Sequence, residues 1–266
     1  MMDVHFLQAG SPPPDVEQRF GNQNAWFKRA LQALEVNVRT WRVHQDEALP
    51  APDCPDPVVI SGSWNMVTDR LDWSENLAAW IRERYQTHMP LLGICYGHQL
   101  MAHALGGRVD YHPKGAEVGY LPIHLSEQAH EHELLANLPM QFPALLTHQQ
   151  SVLSLPEHVE ILGSSAHDPH QILRYGPAQW SIQFHPEFFA GLLRYCVLRK
   201  AESWRAQGID PQSLADPIQD TPDAHRLLCN FVQTYSSSGP NGRRKNSPGV
   251  SPIKSRKAAT KADMLS

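Results

Sequence analysis

The chain has 266 residues, 41% of them hydrophobic, which is enough to bury a full core, and its formal charge is −4. Arg243, Arg244, Lys245, Lys254, Arg256, Lys257 and Lys261 crowd the end of the chain against one acid, Asp263, leaving the body with 16 basic and 26 acidic residues. That balance excludes a nucleic-acid-binding body, four scattered cysteines without a CxxC pair exclude a disulfide scaffold, and no apolar run is long enough to span a bilayer. The opening MMDVHFLQAG lacks the basic and apolar stretches of a signal peptide, so a cytoplasmic protein is expected.

Taken in order, Val4–Gln8 reads as a first strand, stopped by Gly10 and the run Pro12-Pro13-Pro14. Asn22 or Asn24 could cap a helix with Trp26, Phe27, Ala30, Leu31 and Leu34 on one face. Val36 and Val38 alternate as a second strand. A proline-rich connection then delivers Val58-Val59-Ile60, a short buried strand. Strand, helix, strand, loop, strand is the rhythm of an open α/β sheet. Ser61-Gly62-Ser63-Trp64 follows at the carboxyl end of that strand, on the side where such sheets bind ligands. It is either an ordinary tight turn or the source of a backbone N–H for a developing oxyanion. Leu77–Tyr85 is a plausible helix.

The next stretch, Pro90–Gly107, organises the chain. Leu91, Leu92 and Ile94 form a buried strand, Leu100, Ala104 and Leu105 recur at helical spacing, and Gly106-Gly107 stops the helix. Cys95 sits at the junction between Gly93 and Gly97, the Gly-x-nucleophile-x-Gly arrangement of a nucleophile elbow. The turn strains the nucleophile's backbone, and side chains at the flanking positions would collide with it. A thiol there meets the positive end of the helix dipole, which favours thiolate. The N–H of Tyr96 points where an oxyanion would form.

Beyond Gly107 the pattern turns β-rich: Arg108–Tyr111, Tyr120–Leu125, Leu145–His148, Glu160–Ser165, Gln171–Tyr175 and Trp180–Phe184 read as short strands. Lys114–Gly119 reads as a glycine-bounded loop, and His124, His130 and His132 match no metal-ligand spacing. In Phe184-His185-Pro186-Glu187 the proline keeps His185 out of a helix. His185 and Glu187 then project to the same side, so the glutamate can accept a hydrogen bond from the imidazole. The other ring nitrogen is left to take the Cys95 proton. Phe188–Arg205 reads as a helix with Cys196 as filler, and a closing helix runs from Thr221 to about Tyr235. The basic segment 236–266 reads as a disordered tail after a domain spanning 1–235.

Gly93-Ile94-Cys95-Tyr96-Gly97-His98-Gln99 with Phe184-His185-Pro186-Glu187 resembles the class I (triad) glutamine amidotransferases, most closely the glutaminase domain of GMP synthase and its stand-alone relatives. Ser61-Gly62, Lys114–Gly119 and Thr147-His148-Gln149-Gln150 extend the likeness. The resemblance implies an open, mostly parallel, flavodoxin-like sheet with flanking helices and no cofactor or metal. It implies Cys95 as nucleophile, His185 as general base and Glu187 as its orienter. The oxyanion donors would be the N–H groups of Tyr96 and of Ser63 or Gly62, with Gln99, Thr147, Gln149 and Gln150 lining the glutamine pocket. This chain departs from the family at Ser63, where a second glycine is common, and at Gln149, where the family has His-Gly. The expected activity is hydrolysis of the glutamine side-chain amide through a thioester, with ammonia passed to a separate synthase or ligase. A stand-alone γ-glutamyl peptide hydrolase and a non-catalytic regulatory or binding protein on the same fold are the alternatives.

Overall fold

The computed structural model of the protein describes residues 2–236. The expected tail lies outside these residues except for Ser236, which is buried and closes the last helix through its N–H to Val232 O.

β1 (Met2–Gln8), α1 (Pro14–Phe20), α2 (Gln23–Ala30), β2 (Val36–Arg42), β3 (Val58–Ile60), α3 (Asp72–Thr87), β4 (Leu91–Ile94) and α4 (Tyr96–Ala104) form the first half. α1 was not expected from the sequence. The proline run that ends β1 also starts this helix, with Pro14 at its first position, where a missing N–H costs nothing. Asn22 caps α2, its side chain accepting from the Ala25 N–H. The second half holds β5 (Arg108–Tyr111), β6 (Glu117–Leu125), β7 (Gln141–His148), β8 (Gln150–Ser154), β9 (Glu160–Ser164), β10 (Ile172–Gly176) and β11 (Gln179–Ile182). Four helices follow: α5 (Ala190–Leu198), α6 (Ala201–Ala206), α7 (Pro211–Ala215) and α8 (Pro222–Tyr235). The single helix expected over Phe188–Arg205 is therefore split in two, and β6 starts at Glu117, inside the expected loop.

Nine strands make one sheet in the order β2-β1-β3-β4-β11-β10-β9-β6-β7, and β5 pairs with β8 separately. From β2 to β11 every pairing is parallel, and from β11 to β7 every pairing is antiparallel. The open α/β sheet with a β-rich second half is thus the fold observed. Val4, Phe6, Val59, Leu92 and Ile94 face one side, against Phe27 and Leu31 of the α2 region and Leu228 and Phe231 of α8. Leu7, Val58, Ile60 and Leu91 face the other, against Leu77 and Ile81 of α3 and Leu100 and Met101 of α4. Burial on both faces explains why β3 and β4 are apolar throughout instead of alternating.

The strand order sets β4 between β3 and β11, so the segments that leave these three strands converge. The elbow fits between them because two glycines let backbone approach backbone. A Cβ on Gly93 would lie 2.5 Å from Gly97 O, and one on Gly97 would lie 2.6 Å from Ile60 O. Gly97→Ala should therefore lower stability by about 1–3 kcal/mol or more, as overpacking does. Gly191→Ala on α5, whose Cβ meets only the Phe189 ring at 3.6 Å, should be neutral or stabilise by about 0.4–1 kcal/mol. Denaturant midpoints of the two variants check this, and equal midpoints would show that the elbow relaxes freely.

Candidate active site

Cys95 has φ 50° and ψ −97°, a left-handed backbone for a residue with a side chain, and such a conformation costs of order 1–3 kcal/mol. The fold holds it from three sides. The Cys95 N–H donates to Ile182 O at the end of β11, the Gly97 N–H to Ser61 O after β3, and the Gln99 N–H to Cys95 O. The Tyr96 side chain turns into the core, its hydroxyl 2.5 Å from Ser74 Oγ and its ring 5.6 Å from that of Trp73. Burial pushes its phenol up to about 12. At the first turn of α4 the Tyr96 N–H has no acceptor among the described residues.

Cys95, Tyr96, Gly62, Ser63 and His185 line one cavity of about 360 Å³, and Gln99, Thr147, Gln149 and Gln150 line it too. Glu187 does not. It stands behind His185, accepting from Nδ1–H through Oε1 at 2.8 Å, with Oε2 buried and unpartnered among the described residues. Pro186 and Glu187 sit in a turn rather than an extended run, which brings the carboxylate back onto the ring. Because Nδ1 faces a carboxylate, the proton-accepting position left for the thiol is Nε2. The ring stacks on Phe188 at 4.0 Å and 17°, and Phe188 meets Trp26 edge-on at 5.5 Å. A Cβ on Gly62 would lie 2.8 Å from His185 Cε1, so this glycine leaves room for the imidazole.

Burial by itself would lower the His185 ring. The Glu187 carboxylate, and then the Cys95 sulfur beside it, outweigh burial and raise the ring from 6.5 to about 10.

Several supporting contacts escape a sequence reading. Gln99 Nε2 donates to Gln150 O at 2.6 Å and to Gln183 Oε1 at 3.0 Å, tying α4 to the start of β8 and the end of β11. His148 Nε2 lies 2.9 Å from Glu117 Oε2, which also accepts from Gln171 Nε2, while Ser165 Oγ donates to Oε1. Glu117 and His148 are directly opposed across β6 and β7. The expected loop at 114–119 therefore contributes a buried carboxylate that braces the pocket wall. Gln23, at the first position of α2, also lines the cavity, and its Nε2 donates to Gly62 O. A polar residue at the start of a helix carries no sequence signal of that contact. His98 does not reach the cavity: fully buried, it bonds Ser181 Oγ at 2.7 Å, and burial lowers it to about 3. Cys196 borders the cavity as half-buried packing, its thiol pushed up to about 11 by burial.

His5, Cys54 and Asp56 are the group among the described residues with atoms close enough to share a metal, 3.6–3.7 Å apart. They do not fit one. The Trp41 indole N–H donates to His5 Nδ1 at 3.0 Å, so a neutral His5 carries its proton on Nε2, the atom a metal would need.

A cysteine at a strained strand-to-helix turn, facing a histidine held by a carboxylate, places the molecule among the α/β proteins built around a nucleophile elbow. The sequence narrows this further: the glutamine amidotransferase class-I profile matches residues 20–201, and the chain belongs to that family. It is 30% identical over 192 residues to the GMP synthase [glutamine-hydrolyzing] of Thermomicrobium roseum, covering 69% of this chain and 34% of that protein. The chain thus spans about a third of the length of that GMP synthase. A glutamine amidotransferase-like protein of Schizosaccharomyces pombe is 28% identical over 228 residues, covering 77% of this chain and 89% of the yeast protein. Among solved structures, a glutamine amidotransferase of Thermotoga maritima superposes with a TM-score of 0.71 at 18% identity, covering 88% of this chain and 97% of that one. That likeness is one of fold. No helix among the described residues is long and apolar enough to cross a membrane.

The raised His185 ring has a checkable sign. Its folded value lies above the unfolded 6.5, so the stability it contributes is complete below about pH 6.5 and is lost as pH rises towards 10. Glu187→Gln removes the leading charge that raises it. NMR titration should find the His185 ring of that variant deprotonating at lower pH, and the parent's stability advantage should shrink between pH 6.5 and 10. Identical titration curves would show that Glu187 does not set the state of the ring.

Proposed function

We propose that the protein is a glutaminase, with Cys95, His185 and Glu187 as its catalytic residues. The observation that carries this is the convergence of Cys95 and the Glu187-oriented His185 on one cavity. His185 Nε2 holds the Cys95 proton, as its raised affinity for a proton favours, and Sγ attacks the side-chain carbonyl carbon of glutamine. The N–H groups of Tyr96 and Ser63 receive the oxyanion. Collapse of this intermediate breaks the C–N bond, His185 gives its proton to the departing nitrogen, and ammonia leaves a γ-glutamyl thioester. His185 then deprotonates a water that attacks the thioester, a second oxyanion forms and collapses with cleavage of the C–S bond, glutamate is released, and His185 returns its proton to the Cys95 sulfur. Gln99, Thr147, Gln149 and Gln150 hold the amino-acid end of the substrate. The ammonia would pass to a separate synthase or ligase, a partner consistent with the GMP synthases among the relatives.

One observation favours a second reading, hydrolysis of γ-glutamyl compounds. The cavity runs past Cys95 onto α5 and α6, where Lys200, Ser203 and Gln207 border it. A leaving amine larger than ammonia could use that polar room. Comparing kcat/KM for glutamine and for γ-glutamyl dipeptides, with Cys95→Ala as control, decides between them. Glutamine should be preferred, and Cys95→Ala should be inactive on both. A hundredfold preference for the peptides, about 2.7 kcal/mol in transition-state binding, would replace the first reading with the second. Turnover by Cys95→Ala would remove Cys95 from the mechanism.

A further inference from the structure

We propose that Gln23 and Ser61 are positioning residues that lock the Gly62–Ser63 peptide with its N–H towards Cys95, so that the oxyanion hole is already formed in the unliganded protein. The proposal rests on the reading of the site as an amidohydrolase. Gly62 O accepts two hydrogen bonds, from Gln23 Nε2 at 2.9 Å and from Ser61 Oγ at 2.7 Å. Both donors are almost fully buried, at 4% and 2% exposure. Each is anchored in turn. Ser61 Oγ accepts from the Ala9 N–H at the end of β1, and Gln23 is set by the Asn22-capped first turn of α2.

A carbonyl oxygen can only accept, so the Gln23 amide is oriented without ambiguity, with nitrogen towards Gly62. The peptide is trans, so its N–H, on Ser63, points away from this pair of donors. That N–H has no acceptor among the described residues, and Ser63 borders the cavity beside Cys95 and His185. Turned over, the same peptide would aim the Gly62 oxygen into the cavity, where negative charge develops on the substrate. It would also leave the buried Gln23 amide N–H without its acceptor and Ser61 Oγ with only the longer contact to Gln23 Oε1 at 3.3 Å. The two side chains therefore bias one orientation of a peptide whose glycine would otherwise allow both. This answers the question raised by Ser63 standing where a glycine is common: the clamp acts on the Gly62 carbonyl and needs nothing of the residue after it.

Two single variants, Gln23→Ala and Ser61→Ala, and their combination test the clamp, each first checked for cooperative unfolding. Three quantities are read: kcat and KM, affinity for the aldehyde analogue glutamate γ-semialdehyde, and the rate at which iodoacetamide alkylates Cys95. Loss of one oxyanion donor lowers kcat by about 10²–10³. Gln23→Ala should lose about 10–100-fold, and the double variant more. Affinity for the aldehyde, whose adduct carries the oxyanion, should fall in parallel, with KM and the alkylation rate within about twofold of the parent. A crystal structure of the double variant should show the Gly62 carbonyl turned, wholly or in part, towards Cys95. If kcat and aldehyde affinity stay at parent values and the carbonyl keeps its orientation, the clamp is wrong. A general loss of KM, alkylation and kcat together would also overturn it, by showing a merely structural role. A parent inactive on glutamine and γ-glutamyl compounds would instead remove the amidohydrolase reading, and the carbonyl orientation in the variant still judges the clamp.

Discussion

The close approach of three backbones at the elbow is the constraint on which the site depends. Gly97 lies against Ile60 O and Gly93 against Gly97 O, at separations that a single methyl group would fill. With α4 pressed this hard onto β3 and β4, the chain can turn only by placing Cys95 at φ 50°. The strain of that conformation is outweighed by the packing around it: Leu100 and Met101 of α4 are fully buried, and the Cys95 N–H is bonded to β11. The Cys95 thiol thus owes its position to a packed core.

The same strand order that strains Cys95 supplies its partners. β11 lies in parallel register with β4, Ile182 opposite Ile94, so the segment leaving β11 brings His185 to the elbow within three residues. β3 neighbours β4 on the other side, and its exit brings Gly62 so near the imidazole that no side chain fits between them. Three consecutive sheet neighbours therefore deliver Cys95, His185 and the Gly62–Ser63 peptide to one point, the carboxyl edge where open α/β sheets bind ligands. Electrostatics completes the arrangement. Fully buried, His185 would lose its proton, and the adjoining Glu187 carboxylate and Cys95 sulfur reverse that tendency.

Much of this was legible in the sequence because short-range rules enforce it. Gly93, Cys95 and Gly97 lie within five residues, and the apolar run before them and the helical spacing after them fix strand and helix. Pro186 settles the geometry of His185 locally, and Glu187 is close enough in sequence to be paired with it. What stayed hidden depends on contacts distant in the chain. Gln23 reaches Gly62 across 39 residues, and a glutamine near a helix start reads as solvent-facing. Glu117 reads as part of a glycine-rich loop until β6 and β7 pair it with His148. β8 was missed because only Gln149 separates it from β7, with no glycine or proline turn to mark a new strand. α1 was missed because a proline run signals both the end of a strand and the first turn of a helix.

The central claim is that Cys95 carries the acyl group of a glutamyl substrate. Rapid acid quenching of the protein during turnover of glutamine, followed by mass spectrometry of its peptides, tests this most directly. The account predicts one γ-glutamyl group, labile to hydroxylamine, on the peptide containing Cys95, and none on that peptide in Cys95→Ala. Ammonia released with no adduct at Cys95, or with the adduct on Cys54, Cys196 or Cys229, would contradict it.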